Sequence, residues 1–341
     1  MKRRIPKSGT FGGAALSALL VVLLLSLIGG GAAMVLGASG RFARAVLDEM
    51  ALEKRLSEAV SRTLSILRDD PTPESDSPND PVWRELDGLE TEVYLQDVSS
   101  RINPNTIRPT LLDRTGIGDL IFADSRNAGP GALRQYREDE WLSADIAAHY
   151  HDFFSDEALD EFLTGYGWAN INVTDEFVLR SIYADRTGND IGAKRFRSLA
   201  VAIIGRDTMI TREALRGYLG ADFDRVYPVV NAEPLWNVHY LPERVLRKIL
   251  SYSALGVSDP DGVAAALVAL RDSSSLSMDE LTDLTGLPES SRLHQYLGVR
   301  TWFWKIGAQA SGVSLEIVAA RIPGESPTFQ IVERRIVRRD S

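Results

Sequence analysis

Two histidines stand two residues apart, His149 and His151, with Asp152 next to them. On a strand such a pair shares one face and, with a third ligand, can hold a metal ion. In helix-rich surroundings the same pair reads as solvated surface, and no metal site is assigned to it. The remaining histidines, His239 and His294, are distant in sequence. No cysteine is present. That removes disulfides, thiolate nucleophiles, iron–sulfur clusters and cysteine zinc sites together. No serine, histidine and acid combine into a triad by spacing, so the chain reads as non-enzymatic, with no catalytic residue and no cofactor. Trp302, Phe303 and Trp304 offer a ligand platform or strand-core packing, and packing is the favoured reading.

Those residues must be positioned by elements, and composition limits which. A length of 341 residues suits about two domains at ~150 residues each, with room for a long non-globular element. Hydrophobic residues make up 44% and charged residues 25%, the balance of a folding chain. The net charge of −9 argues against nucleic acid held on a broad basic surface.

The first 40 residues differ from the rest. Lys2, Arg3, Arg4 and Lys7 make a basic start, Ser8 to Gly40 carries no charge, and the first acid is Asp48. Phe11 to Leu36 is a run of 26 mostly apolar residues, enough for a helix to cross a bilayer core of ~30 Å. The basic leader should stay cytoplasmic, with the bulk of the chain on the far side of an inner membrane. A secretory signal cut near Gly30 to Ala33 and a plain signal anchor are two readings. A third is a type IV pilin or pseudopilin start, in which a membrane peptidase cuts between Gly9 and Thr10, or alternatively between Gly13 and Ala14. Beyond the apolar run, Phe42, Val46, Met50, Leu56, Val60, Leu64 and Leu67 recur mainly every three or four residues. They form one stripe of an amphipathic helix, suited to packing on partner helices and on a covering sheet. Asp69-Asp70-Pro71 should end that helix.

Asp70 to Asp80, rich in proline and acid, reads as an exposed loop, and Glu90 to Val98 as a strand. Asn103, Asn170 and Asn237 then stand 67 residues apart, each with an aliphatic pair starting eight residues on. The expectation is a turn-forming Asn that caps a short helix, whose aliphatic pair enters a core. The second and third copies extend further, through Thr211 with Gly220 and Ser277 with Gly286, as N-terminal caps and terminal glycines. They read as two related helical modules, about 165–230 and 231–295. Thr301 to Ile306, Val313 to Arg321 and Phe329 to Val337 read as a closing antiparallel meander. Arg334, Arg335, Arg338 and Arg339 read as a solvated edge that resists strand pairing.

The chain resembles the K-type minor pseudopilins of bacterial type II secretion systems, the general secretion pathway protein K family. The resemblance rests on Lys7-Ser8-Gly9 before the apolar helix, Ile102-Asn103-Pro104-Asn105-Thr106, and Asn170-Ile171-Asn172-Val173-Thr174 with Val178-Leu179. Trp236-Asn237-Val238 with Pro242 and Val245-Leu246, and Tyr296 to Thr301, continue it. It implies an α+β fold: a long N-terminal helix on a small antiparallel sheet, with a large inserted helical domain. The corresponding division is a leader at 1–9, the helix at 10–68, the first sheet part at 69–105, the inserted domain at 106–295 and closing strands at 296–341. It also implies a place at the tip of a periplasmic pseudopilus. Its partners there would be I-type and J-type minor pseudopilins, the major pseudopilin, the prepilin peptidase and the inner-membrane secretion platform. Most pilins carry a glutamate at the fifth mature position and the K type lacks it; Ala14 or Ala18 stands there in this chain, depending on the cleavage glycine. Some members bind calcium, and Asp222, Asp224, Asp259 and Asp261 are of the right ligand type, but no EF-hand spacing appears and no metal is assigned. Gly12-Gly13 and Gly29-Gly30-Gly31 depart from a good helix former and suggest a bend or a boundary between two helices. Gly116-Ile117-Gly118 resembles the hairpin of helix–hairpin–helix DNA binders, which makes a membrane-anchored DNA-binding protein the alternative reading. The acidic charge speaks against nucleic acid.

Overall fold

The computed structural model describes residues 11–89, 91–103, 106–108, 111, 114–116, 164–206, 209–271, 273–324 and 328–338. The chain divides into two compact units, the first ending at Leu56 and the second beginning at Ser57. Helix α1 (Phe11–Arg68) makes up the described part of the first unit and continues into the second. It runs unbroken through Gly29-Gly30-Gly31, so these glycines do not divide it into two helices. It ends where sequence places its stop, with the Asp69 N–H on the Ser65 carbonyl and Pro71 just beyond.

In the second unit a short helix α2 (Val82–Leu86) leads to strand β1 (Glu92–Asp97). After the segment outside the described residues come β2 (Ala169–Asn170), α3 (Glu176–Thr187), α4 (Asp190–Arg206), α5 (Arg212–Leu219), α6 (Phe223–Val226) and β3 (Val230–Asn231). Asp175 caps α3 by accepting from the Phe177 N–H, and Gly188 ends it at φ 66°. Thr211 caps α5, and Gly220 follows it at φ 54°. Periodic Leu179, Tyr183, Phe196, Ile203 and Leu215, with Phe223 and Tyr227, close one hydrophobic core.

The next stretch repeats that plan with β4 (Trp236–Asn237), α7 (Glu243–Leu250), α8 (Pro260–Arg271), α9 (Met278–Thr285), α10 (Leu293–Tyr296) and β5 (Leu297–Gly298). Ser277 and Glu280 form a reciprocal capping box on α9, and Gly286 ends it at φ 66°. Trp236, Leu246, Ile249, Leu267, Leu281 and Leu293 build a second core, joined by Ile102, Ile107 and Leu111.

The recurring asparagines are turn residues and do not cap helices. The Asn170 Oδ1 accepts from the Asn172 N–H, and the Asn237 Oδ1 from the His239 N–H. Each is an Asx turn at the end of a two-residue strand. The Asn carbonyl then accepts an N–H four residues on, from Ile107, Thr174 and Leu241 in the three copies. Asp175 caps the second copy's helix, and Pro242 occupies the N-cap of the third without a side-chain bond. The helices therefore start six residues after the asparagine, too far for its side chain to reach a first-turn N–H. β2 pairs in parallel with β3, and β4 with β5.

β6 (Phe303–Ala310), β7 (Val313–Ile322) and β8 (Thr328–Arg338) complete a four-stranded antiparallel sheet of order β1-β6-β7-β8. Ser311 and Gly312 join β6 to β7 with φ of 50° and 75°, the positive pair that a two-residue hairpin matching strand twist requires. Trp304, Ile306 and Ala308 pair with Ala319, Ile317 and Leu315, so one buried apolar face runs through the sheet's centre. At Gly307 an added Cβ would lie 2.0 Å from the Tyr94 ring: the ring covers the glycine across β1 and β6. The long helix, the small antiparallel sheet and the further helices make an α+β fold.

Candidate functional site

Two features of the structure bear on function: an exposed helix and a buried polar joint. Along α1, Leu19 to Ile28 and Met34 to Leu36 stand largely exposed. This is the one helix among the described residues long and apolar enough to cross a membrane. The exposure continues past the apolar run, at Phe42 (72%), Val46 (37%) and Met50 (62%). Further along the same stripe, Leu56 and Val60 are buried within this chain and Leu64 is half-buried. The stripe thus changes character along the helix: its first part is exposed, its second buried or half-buried. Gly13 and Ala14 lie in α1, whereas Gly9 and Thr10 lie outside the described residues.

The acidic segment 70–80, expected to be an exposed loop, is largely buried. Asp70, Ser75, Asp76, Ser77 and Asp80 are all inside, because each finds internal polar partners that replace water. Asp76 and Arg321, each 2% exposed, meet through paired bonds, Nη1 to Oδ2 at 2.6 Å and Nη2 to Oδ1 at 2.8 Å. The Thr301 N–H donates to the same Oδ2 at 2.7 Å. Burial pushes the Asp76 carboxyl above its ordinary range, against the pull of Arg321 and the Thr301 N–H. Asn237 Nδ2 donates to the Asp76 carbonyl and to Thr301 Oγ1. Thr301 Oγ1 in turn donates to Asp97 Oδ2, whose carboxylate also takes Ser99 and Ser100. Burial raises the Asp97 pKa, and these donors oppose the rise. Ser75 and Ser77 reach Leu276 and Ser275 of the second helical core's surroundings. The segment therefore ties the end of α1, the sheet and the α7–α9 region together.

Both described histidines are buried and hydrogen-bonded within the chain. Burial lowers the His239 pKa to about 4, and its Nε2 accepts from the Leu276 N–H. His294, also lowered by burial, spends its ring nitrogens on Thr285 Oγ1 and the Pro288 carbonyl. Asp222 accepts from Tyr183 and Asp259 from the Gly262 N–H. No group of three or more His, Asp or Glu suited to a metal occurs among the described residues. Trp302, Phe303 and Trp304 are buried; Phe303 and Trp304 open β6, while Trp302 precedes it and donates from Nε1 to the Pro234 carbonyl. A cavity of about 310 Å³ is lined by Glu74, Glu233, His294, Gln295, Arg300 and Trp302. Arg335 of β8 binds Glu316. Against burial, donors from Tyr94, Arg335 and Lys305 hold the Glu316 pKa at about 2. His149, His151, Asp152, Ile117, Gly118 and Arg339 lie outside the described residues.

Sequence spacing found the helix stripe and missed the joint. Asp76 and Arg321 are 245 positions apart, and no local pattern marks either as half of a buried pair. No protein-family model matches the chain, and no curated protein matches it. One solved structure similar to it is a chain of the GspK-GspI-GspJ complex from the enterotoxigenic Escherichia coli type 2 secretion system. The match has 13% identity and a TM-score of 0.37, and covers 86% of this chain and 99% of that one.

Proposed function

We propose that the chain is a non-enzymatic assembly subunit of the K-type minor pseudopilin kind. It is anchored by α1 in an inner membrane with its leader cytoplasmic and its body periplasmic, and helps to nucleate and cap a pseudopilus tip for protein export. The observation that carries the reading is the exposed apolar face of α1, which continues from the membrane-length run into Phe42, Val46 and Met50 and ends where the chain's own fold takes over the stripe. A solvent-facing Phe and Met on a rigid helix is the kind of apolar surface that marks association. The sequence resemblance names the partners: I-type and J-type minor pseudopilins, then the major pseudopilin and the secretion platform, after prepilin peptidase has cut at Gly9 or Gly13. No cofactor enters the role.

Replacing Val46 and Met50 together by Asp tests it. Two charges on the exposed face should abolish co-purification with the I-type and J-type partners while the thermal midpoint of the body stays unchanged. Retained co-purification contradicts the reading.

A further inference from the structure

The segment 70–82 holds a polar arrangement that the assembly role does not use. Thr72 Oγ1 lies 3.1 Å from Asp70 Oδ1 and 3.3 Å from Asp80 Oδ2. Both carboxyls are buried, at 7% and 3% exposure. The Thr72 N–H already donates to Asp70 Oδ1, and the Val82 N–H to Asp80 Oδ1. Asp70 Oδ2 has no partner among the described residues.

A hydroxyl carries one hydrogen and cannot donate to two carboxylates. With both acids ionised, one contact is oxygen against oxygen with no hydrogen between, inside a poorly solvated segment. One added proton resolves this. Asp80 Oδ2–H donates to Thr72 Oγ1, and the Thr72 hydroxyl donates to Asp70 Oδ1. The groups facing Asp80 favour that state. Asp70 and Asp76 are both acidic, Tyr240 is neutral, and Arg321 is spent on Asp76.

We propose that a proton held on Asp80, hydrogen-bonded to Thr72 whose hydroxyl in turn donates to Asp70, locks this segment and makes it a pH-sensitive joint between the end of α1 and the body, closed when Asp80 is protonated and loosened when the proton leaves to solvent. Burial, with the neighbouring acids, pushes the Asp80 pKa from 3.8 up to about 6. A raised folded-state value means that the stabilisation is complete below 3.8 and is lost as pH rises through about 6. His239 works with the opposite sign: buried neutral with a pKa of about 4, it costs stability as pH falls. Global stability therefore mixes the two slopes, and a local measurement is needed.

Hydrogen exchange on the full chain in detergent supplies it. The amides of Thr72, Ser75, Asp76 and Asp80, all bonded in the closed segment, are the reporters. Their protection factors, corrected for intrinsic exchange, should fall about tenfold between pH 5 and pH 7, as linkage requires for this shift. Asp80→Asn places an amide donor against Thr72 at every pH and should abolish the fall. An unchanged protection in the native chain, or an equal fall in Asp80→Asn, overturns the proposal. Thr72→Val is the second variant. It removes the hydroxyl between the two acids and should lower protection at pH 5 to the native pH 7 level; native-like protection at pH 5 overturns the proposal as well.

Discussion

Arg321 leaves β7 to hold Asp76 with both terminal nitrogens, and neither group touches water to any useful degree. Removing one member of a buried pair leaves the other desolvated and unmatched, which typically costs 3–5 kcal/mol. Arg321→Ala should therefore lower unfolding free energy in urea by about 3–5 kcal/mol at neutral pH, and less in acid, where Asp76 can take a proton. A loss below about 1 kcal/mol would show the pair to be dispensable. None of this was legible in the sequence. Proline and acid between two ordered elements signal a surface turn, and that signal describes the unfolded chain's preferences. Partners that help bury it, Arg321, Thr301 and Leu276, stand more than two hundred positions away. Residue chemistry was legible where partners are local: Thr211, Ser277, Gly220 and Gly286 all sit at the helix ends their types favour.

At the scale of elements, the asparagine turns and the sheet carry the argument. Asn237 satisfies the Asp76 carbonyl, Thr301 Oγ1 and the His239 N–H together. Asn231, also buried, accepts from the Glu233 N–H, and its Nδ2 finds no partner among the described residues. Asn237→Ala should thus cost about 2–3 kcal/mol and Asn231→Ala about 1 kcal/mol less; equal costs would mean that the side-chain amide of Asn237 adds nothing. In the sheet, Gly307→Ala should displace the Tyr94 ring and cost about 1–3 kcal/mol, with a weakened Tyr94–Glu316 bond. A neutral substitution would mean that the ring moves freely. The closing strands and the end of α1 at Arg68 were readable from alternation, aliphatic spacing and the Asp-Asp-Pro stop. The 67-residue recurrence was also readable, but its meaning was not. Residue type favours cap and Asx turn alike, and only the distance to the first helical turn decides between them. Nor could periodicity say that β1 pairs with β6, since strand order depends on which edges meet after the helices between them have folded.

For the whole molecule, one stripe is exposed in its first part and buried in its second. Val60 and Leu67 are buried in the second unit, while Phe42, Val46 and Met50 remain exposed. Sequence alone gave the stripe and its period; where it passes from outward-facing to buried follows from three-dimensional packing. The paired Val46→Asp and Met50→Asp substitution belongs to this scale, because it leaves the body's cores untouched and alters only the exposed face proposed for association. If α1 is a pseudopilin helix, a dedicated peptidase must remove the leader ahead of it. Intact mass of the full chain, produced with and without its prepilin peptidase, tests this most directly. The account predicts loss of residues 1–9 or 1–13, only when that peptidase is present. A chain shortened by ~30 residues through signal peptidase, or one not shortened at all, would contradict it.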